Sequence, residues 1–211
     1  PLVGVVPQHP RRSFVAETVA AEIAFASTVQ GASDAEIAPR VQRAAARLGL
    51  TDLLATATDH LSAGQSHLVA LAAATAHDPA LLLVDEPLAD LDLASRTSVV
   101  AALRDLVDGG TSVLVAEHRV GALREVADLV LRIEADDDGG ARVVRGADRE
   151  LTTAPLAAEA GLRVSPTPHA AVLHVADLTI AVGERMLLRA ATFDVARGEI
   201  VAVTGDVGSG K

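Results

Sequence analysis

The sequence contains no cysteine, no tryptophan and no tyrosine, and only three phenylalanines. Without cysteine it can form neither disulfides nor thiolate metal sites, which fits a reducing compartment. Without large aromatics, a core has to be packed with Ala, Leu and Val, and base stacking on aromatic side chains is not expected. Half of the residues are nevertheless hydrophobic. The chain is therefore long and apolar enough to bury a substantial core.

Positive charge is also scarce, because 18 Lys and Arg stand against 28 Asp and Glu, a net charge of -10. Such a chain has no general attraction for a phosphate backbone, so nucleic acid is not expected as a partner. No apolar run approaches the roughly 20 residues that span a bilayer. We therefore expect any membrane association to run through partner proteins.

Short apolar runs alternate with segments of helical periodicity over the first two thirds of the chain, which predicts an α/β fold. Strands are predicted at Leu2–Val6, which is apolar enough to be covered on both faces, and at Ala80–Val84, Thr111–Ala116 and Ile200–Thr204. Helices are predicted at Thr18–Phe25, Asp34–Leu48, Gln65–Ala76, Leu93–Val107 and near Val120–Ala127.

The pattern loosens between residues 147 and 170, where Ser165-Pro166-Thr167-Pro168 is typical of a linker. This predicts one domain over residues 1–146 and the start of another over 171–211. A hairpin is predicted before the linker, and an antiparallel layer of short strands after it. The hairpin strands are Leu129–Glu134 and Ala141–Arg145, and the later strands are Ala171–Val182, Met186–Leu188 and Ala191–Val195.

The chain ends in Gly205-Asp206-Val207-Gly208-Ser209-Gly210-Lys211, which matches G-x-x-x-x-G-K and follows a predicted strand. In such a loop, glycines let backbone N–H groups converge on phosphate oxygens, and the lysine lies against the β and γ phosphates. The alternative is a plain glycine-rich turn. The candidate nucleotide-binding residues are Gly205, Asp206, Gly208, Ser209, Gly210 and Lys211.

Asp85 and Glu86 directly follow the buried strand Ala80–Val84. Ligands collect at the carboxyl ends of strands in open α/β sheets, so Asp85 is a candidate for Mg²⁺ and Glu86 for orienting or deprotonating an attacking water. Alone, two acidic residues after a strand equally fit a solvated turn or a helix cap.

Further motifs, before and after this pair of acidic residues, indicate what the pair does. The chain resembles the ATP-binding-cassette (ABC) ATPases, with their Q-loop, signature, Walker B, D-loop and switch histidine. These correspond to Gln8, Leu61–Gln65, Leu81–Glu86, Leu88–Asp92 and His118. The resemblance implies a P-loop NTPase α/β sheet with a helical subdomain at about residues 11–77, plus the antiparallel β-subdomain and first P-loop strand of a second cassette.

The resemblance also implies roles. ATP would lie between two cassettes, Glu86 and His118 would be catalytic, and Asp85 and Gln8 would hold Mg²⁺. Nucleotide contacts are implied for Gln8, Ser62, Ala63, Gly64, Gln65 and Asp90. The sequence departs from the family in three places: Ala63 replaces a glycine, Ser66-His67-Leu68 replaces basic or glutamine residues, and Val182 stands near the usual adenine-stacking aromatic.

A finer similarity, carried by Gln8-His9-Pro10, Thr18–Phe25 and Ala116–Arg119, is to tandem-cassette ATPases of energy-coupling-factor (ECF) importers. It implies transmembrane partner subunits, a place on the cytoplasmic face of the membrane, and ATP-driven uptake of a vitamin or metal ion. The alternatives are a soluble ABC protein of translation or DNA metabolism and a non-catalytic nucleotide-binding scaffold. The D-loop, and Glu86 with His118, argue against them.

In this family Walker A comes first, whereas here it comes last. The chain is either a window from the Q-loop of one cassette to Walker A of the next, which we favour, or a circular permutant. In the window, the isolated chain would hold halves of two nucleotide sites and hydrolyse ATP negligibly. A further hypothesis is that Ile200–Thr204 docks beside Leu81–Val84 and rebuilds a permuted cassette.

Overall fold

The computed structural model describes residues 3–118, 121, 123, 126–135, 141–145, 170–183 and 185–205. The chain divides into two compact units, Pro1–Thr111 and Ser112–Lys211. Helices and parallel strands alternate in the first unit, and parallel and antiparallel strands combine in the second. The predicted α/β class is confirmed.

Among its described residues, the first unit contains two parallel strands and four α-helices. Strand β1 pairs with β2 in a register that runs from Val3 opposite Leu81 to Val6 opposite Val84. The strands are β1 (Val3–Val6) and β2 (Leu81–Asp85), and the helices are α1 (Val19–Val29), α2 (Asp34–Arg47), α3 (Ala63–Thr75) and α4 (Leu93–Asp108).

Three of these helices begin at a polar side chain that caps the first turn. At the start of α1, the Thr18 side chain accepts a hydrogen bond from the N–H of Ala21. At α3, Ser62 accepts from the N–H of Gln65, and at α4, Asp92 accepts from the N–H of Ser95 at 2.7 Å. Such caps satisfy N–H groups that lack an acceptor inside the helix. The helix starts are therefore encoded locally.

Strand β1 packs on only one face against described residues. Gly4 lies so close to α3 that a Cβ there would be 2.6 Å from the carbonyl oxygen of Ala74. On the other face, Val3 and Val5 remain 42% and 62% exposed. The expectation that β1 is covered on both faces is therefore wrong within the described part of the chain, because apolarity alone does not say what covers a strand.

The second unit is built on β3 (Ser112–Ala116), β8 (Ile200–Gly205), β4 (Leu129–Ala135) and β5 (Ala141–Arg145). Strand β8 lies between β3 and β4 and is parallel to both, while β5 is antiparallel to β4. The predicted hairpin of β4 and β5 is confirmed.

The strand Ile200–Thr204 does not pair directly with Leu81–Val84, so the hypothesised adjacency of these two strands is wrong. Both edges of β8 are used inside the second unit, with Val201 opposite Leu114 on one side and Leu129 on the other. The residues Ile200 and Val201 are fully buried. An apolar strand of this kind suits a central position with neighbours on both edges.

An antiparallel pair, β6 (Ala171–Val182) and β7 (Arg185–Ala196), completes the second unit. The antiparallel layer is confirmed, but the two short strands predicted after Met186 are one strand with a register shift. Ile180 faces Leu188 and Leu178 faces Ala191, so β7 carries an extra residue near Ala190, whose φ is 48°. That bulge explains why the sequence pattern breaks there.

Within the described residues, no helix combines the length and apolarity needed to cross a membrane. The predicted short helix near Val120–Ala127 falls largely outside the described residues, and the linker at 147–170 does so except for Ala170.

Candidate functional site

The loops that follow β1 and β2 meet at one edge of the first unit. Because the strands are parallel and Val6 lies opposite Val84, the residues after each strand leave the sheet on the same side. Gln8 Nε2 donates a hydrogen bond of 2.7 Å to Glu86 Oε2, across 78 residues of sequence. The structure thus joins the glutamine and the glutamate that the sequence marked separately.

Glu86 adopts a strained backbone conformation. Its φ is 41°, in the left-handed region that glycine tolerates best, and such residues cost on the order of 1–3 kcal/mol. Its side chain is half-buried, whereas Asp85, the last residue of β2, is exposed. The unusual backbone and the bond from Gln8 together hold the Glu86 carboxylate in place.

The residues at this edge fit a magnesium ion. Mg²⁺ prefers oxygen ligands and keeps several waters, so one or two protein oxygens beside a phosphate suffice. Asp85 offers an exposed carboxylate, and Gln8 uses its nitrogen on Glu86, so its amide oxygen is the atom suited to a cation. Asp85 and Gln8 are the residues that would hold Mg²⁺.

The signature residues form the N-terminus of α3. The N–H of Gln65 donates to Ser62 Oγ at 3.2 Å, and Gln65 Oε1 accepts from the N–H of Ser62 at 2.8 Å. These two side chains therefore complete a reciprocal cap. The Ser62 and Gln65 side chains are thus occupied within the cap. The backbone N–H groups of the first turn are what this helix start can direct at an anion.

Gly64 and Ala63 stand in different surroundings. A Cβ on Gly64 would lie 2.6 Å from Ser95 Oγ and 2.7 Å from Ser95 Cβ, so the glycine lets the starts of α3 and α4 approach each other. Ala63 is exposed. The sequence suggested Gly64 for its approach to phosphate, and Ser95, a residue that sequence reasoning missed, adds a packing requirement.

The D-loop joins β2 to α4. Leu88 and Leu91 are buried and anchor it, while Asp90 between them is exposed with a φ of 57°. At its end, hydrogen bonds from Ser95 lower the pKa of Asp92, the residue that caps α4. Asp90 is therefore held at the surface by a loop fixed at both ends.

A cavity of about 300 Å³ lies between the loop after β1, the start of α3 and the D-loop. Its walls bring together three predicted nucleotide-site residues, Gln8, Ala63 and Asp90. The structure thus places Q-loop, signature and D-loop residues around one concave surface of the first unit.

The unusual residues after the signature also face this cavity. Arg11 Nε donates to Ser66 Oγ at 3.0 Å, and His67 is 95% buried, with Nδ1 3.0 Å from the carbonyl oxygen of Ala63. Burial lowers the pKa of His67. Ser66 therefore links α3 to the loop after β1, whereas His67 bonds within its own helix, roles that their types alone did not indicate.

His118 belongs to the second unit, where it follows β3. The N–H of Glu117 donates to the carbonyl oxygen of Val203 at 2.9 Å, so β3 and β8 remain paired up to the point where the glycine-rich motif begins at Gly205. Glu117 is 99% buried beside His118 and was not singled out from the sequence. The signal for it was a charged residue that directly continues an apolar strand.

The remaining phosphate-loop residues fall outside the described part of the chain. They are Asp206, Gly208, Ser209, Gly210 and Lys211, and their roles stay predictions.

Residues 2–89 match the protein family described as ABC transporter. A provisionally named ABC transporter ATP-binding protein of Methanosarcina acetivorans is 29% identical over 99% of this chain and 41% of its own length. The energy-coupling factor transporter ATP-binding protein EcfA of Methanoculleus marisnigri is 33% identical over 79% of this chain and 59% of its own length.

The fold agrees with these sequence matches. The solved structure of cbiO1 from Clostridium perfringens, described as part of the ABC transporter complex cbiONQ, has a TM-score of 0.55 and 28% identity. The match covers 62% of this chain and 52% of the cbiO1 chain. The chain thus spans less than two thirds of each of these relatives. Residues 2–89 therefore match the ABC transporter family, and the chain is similar to ATP-binding proteins of such transporters.

Proposed function

We propose that the protein is the ATP-hydrolysing subunit of an ECF-type importer, acting on the cytoplasmic face of the membrane with transmembrane subunits. It would couple hydrolysis to uptake of a vitamin or metal ion. The similarity to EcfA supports this proposal, as does a 38% identical relative named cobalt import ATP-binding protein CbiO, from Rhodobacter capsulatus.

One observation carries the catalytic part of the proposal, namely the 2.7 Å hydrogen bond from Gln8 to Glu86 next to Asp85. Glu86 takes a proton from the attacking water, and Gln8 orients the carboxylate for this step. Asp85 and Gln8 would hold Mg²⁺, which would neutralise phosphate charge. Residues from two segments far apart in the sequence thus converge on one reaction.

The start of α3 serves a different nucleotide from Glu86. The backbone N–H groups of its first turn, at the positive end of the helix dipole, bind the γ-phosphate of ATP held by a second cassette. Residues 171–211 begin that second cassette in the same chain. The alignment with the Methanosarcina acetivorans relative over 99% of this chain supports the order, because one continuous match contains both parts.

The decisive experiment measures Mg²⁺-dependent ATP hydrolysis by the complete protein, with and without its membrane subunits in liposomes. We expect the membrane subunits to change the turnover, and Glu86→Gln to lower it by about 10²- to 10⁴-fold while ATP binding is retained. Wild-type turnover by Glu86→Gln would disprove the role of Glu86. A rate indifferent to the membrane subunits would argue against transport.

The isolated 211-residue chain provides the matched comparison. We expect it to hydrolyse ATP negligibly, since each nucleotide requires both cassettes. Robust activity of this chain that is abolished by Glu86→Gln would contradict the two-cassette arrangement but leave the ATPase assignment intact.

A further inference from the structure

Glu117 is a buried carboxylate at the end of β3. Its side chain has no exposed surface, although burying a carboxylate is costly unless hydrogen bonds compensate. Glu117 Oε1 accepts a 2.9 Å hydrogen bond from the backbone N–H of His118. The carboxylate therefore turns back towards the residue that follows it.

The same oxygen also lies 3.2 Å from Nδ1 of the His118 ring. A carboxylate at this distance favours a proton on Nδ1, because an Nδ1 lone pair would face the negative oxygen. In the neutral ring the second nitrogen, Nε2, is then unprotonated. The contact thus selects one of the two imidazole tautomers.

The backbone on which this pair sits is held firmly. The N–H of Glu117 continues the β3–β8 ladder by donating to Val203, and β8 is itself paired on both edges. The His118 side chain, in contrast, remains 31% exposed. A fixed, buried carboxylate therefore supports a ring that reaches the surface.

We propose that Glu117 is a positioning residue that holds His118 in its Nδ1–H tautomer and presents Nε2 to a nucleotide phosphate. The part about phosphate rests on the proposed function, whereas the tautomer does not. Nε2 accepts hydrogen bonds while the ring is neutral and donates one when the ring takes up a second proton beside an anion.

The tautomer can be read directly from ¹⁵N chemical shifts of labelled histidine in the 211-residue chain, at a pH where the ring is neutral. Comparison with His118→Gln assigns the signal. We expect Nδ1–H in the wild type, a shift to mostly Nε2–H in Glu117→Met, and retention of Nδ1–H in Glu117→Gln, whose amide oxygen can still accept. Glu22→Gln, which changes a buried glutamate of α1, should leave the signal unchanged.

The proposal is overturned if Glu117→Met keeps the wild-type tautomer, or if the Met and Gln variants give the same shifts. If the Met variant does not fold, the smaller Glu117→Ala answers the same question, with the same two outcomes.

A kinetic test in the complete protein separates positioning from a purely structural role. We expect Glu117→Met to lower kcat by roughly tenfold to a hundredfold, the range for carboxylates that orient a histidine, with little change in KM for ATP. In the His118→Gln background the same substitution should have no further effect on kcat. An undiminished loss in that background would refute the proposal. A wild type without ATPase activity would refute the proposed function while the NMR result still decides the tautomer.

Discussion

Glu86 and Glu117 are two glutamates that continue buried parallel strands, yet they reach their partners in different ways. Glu86, after β2, is half-buried, has a positive φ and pairs with Gln8, 78 residues away. Glu117, after β3, is fully buried and bonds to the next residue, His118. One contact depends on how distant segments meet, and the other on local geometry in a fixed sheet.

This difference matters for how each carboxylate can act. Glu86 combines partial exposure with a donor that orients it, which suits a group that exchanges protons with water. Glu117 is shut off from solvent and lies against the ring of His118. Each glutamate directly follows a strand, and these two strands are consecutive in the sequence. Glu86 is nevertheless suited to react, and Glu117 to support a neighbouring side chain.

The sharpest test of this comparison is the same substitution at both sites. In the complete protein, Glu86→Gln should reduce ATP turnover by about 10²- to 10⁴-fold because it removes the general base. Glu117→Gln should reduce it less than tenfold, since the amide oxygen can still accept from His118. Steady-state turnover at saturating ATP measures both, and equal losses would erase the distinction between the two roles.

The close contact between the starts of α3 and α4 can be disrupted at Gly64. Gly64→Ala places a Cβ 2.6 Å from Ser95 Oγ, and we expect overpacking to lower the free energy of unfolding by about 1–3 kcal/mol. Urea denaturation measures the change. Ser95→Gly in the same chain should recover much of the loss, whereas Ala63→Gly at the exposed neighbour is the matched control and should cost less than about 1 kcal/mol. A Gly64→Ala variant as stable as the wild type would contradict the close packing of α3 on α4.

A weaker long-range contact joins α2 to the end of α4. Arg47 Nη2 donates to the carbonyl oxygens of Asp105 and Leu106 at 2.6 and 3.1 Å, and its guanidinium occupies the space that a Cβ on Gly109 would need. Arg47→Met should therefore lower the free energy of unfolding by about 1 kcal/mol. Gly109→Ala should have a similar effect by displacing the same side chain, and the two should not add. Full additivity in a double-mutant cycle would show that they act separately.

The smallest effect concerns the pH dependence of stability. Burial lowers the pKa of His67 below its ordinary value of 6.5, so the folded chain binds this proton less readily than the unfolded chain. Its contribution to stability is therefore complete above pH 6.5 and is lost as pH falls below that value. His67→Leu should flatten the loss in urea titrations between neutral and mildly acidic pH. His60→Gln, a change at an exposed histidine, should leave the slope unchanged, and an identical slope in His67→Leu would refute this explanation.

Much of the local structure was readable from the sequence. Periodicity placed three helices within two residues of their observed starts at Val19, Ala63 and Leu93, and apolar runs such as Leu81–Val84 marked strands, because both signals act between residues close in the chain. The motifs also identified Gln8, Asp85, Glu86 and His118 as candidates. Three features were predicted incorrectly: that β1 is covered on both faces, that β7 is two short strands, and that β8 pairs with Leu81–Val84. Each depends on what packs against the strand.

By itself, the sequence determined the α/β class, the resemblance to ABC ATPases and the residue types available for chemistry, because periodicity and motif spacing are local properties. Only the tertiary structure decided that Gln8 pairs with Glu86, that Gly64 must accommodate Ser95, that β8 lies between β3 and β4, and that Glu117 is buried behind His118. Long-range hydrogen bonds and burial depend on which distant segments come into contact, and no local pattern along the chain specifies those contacts.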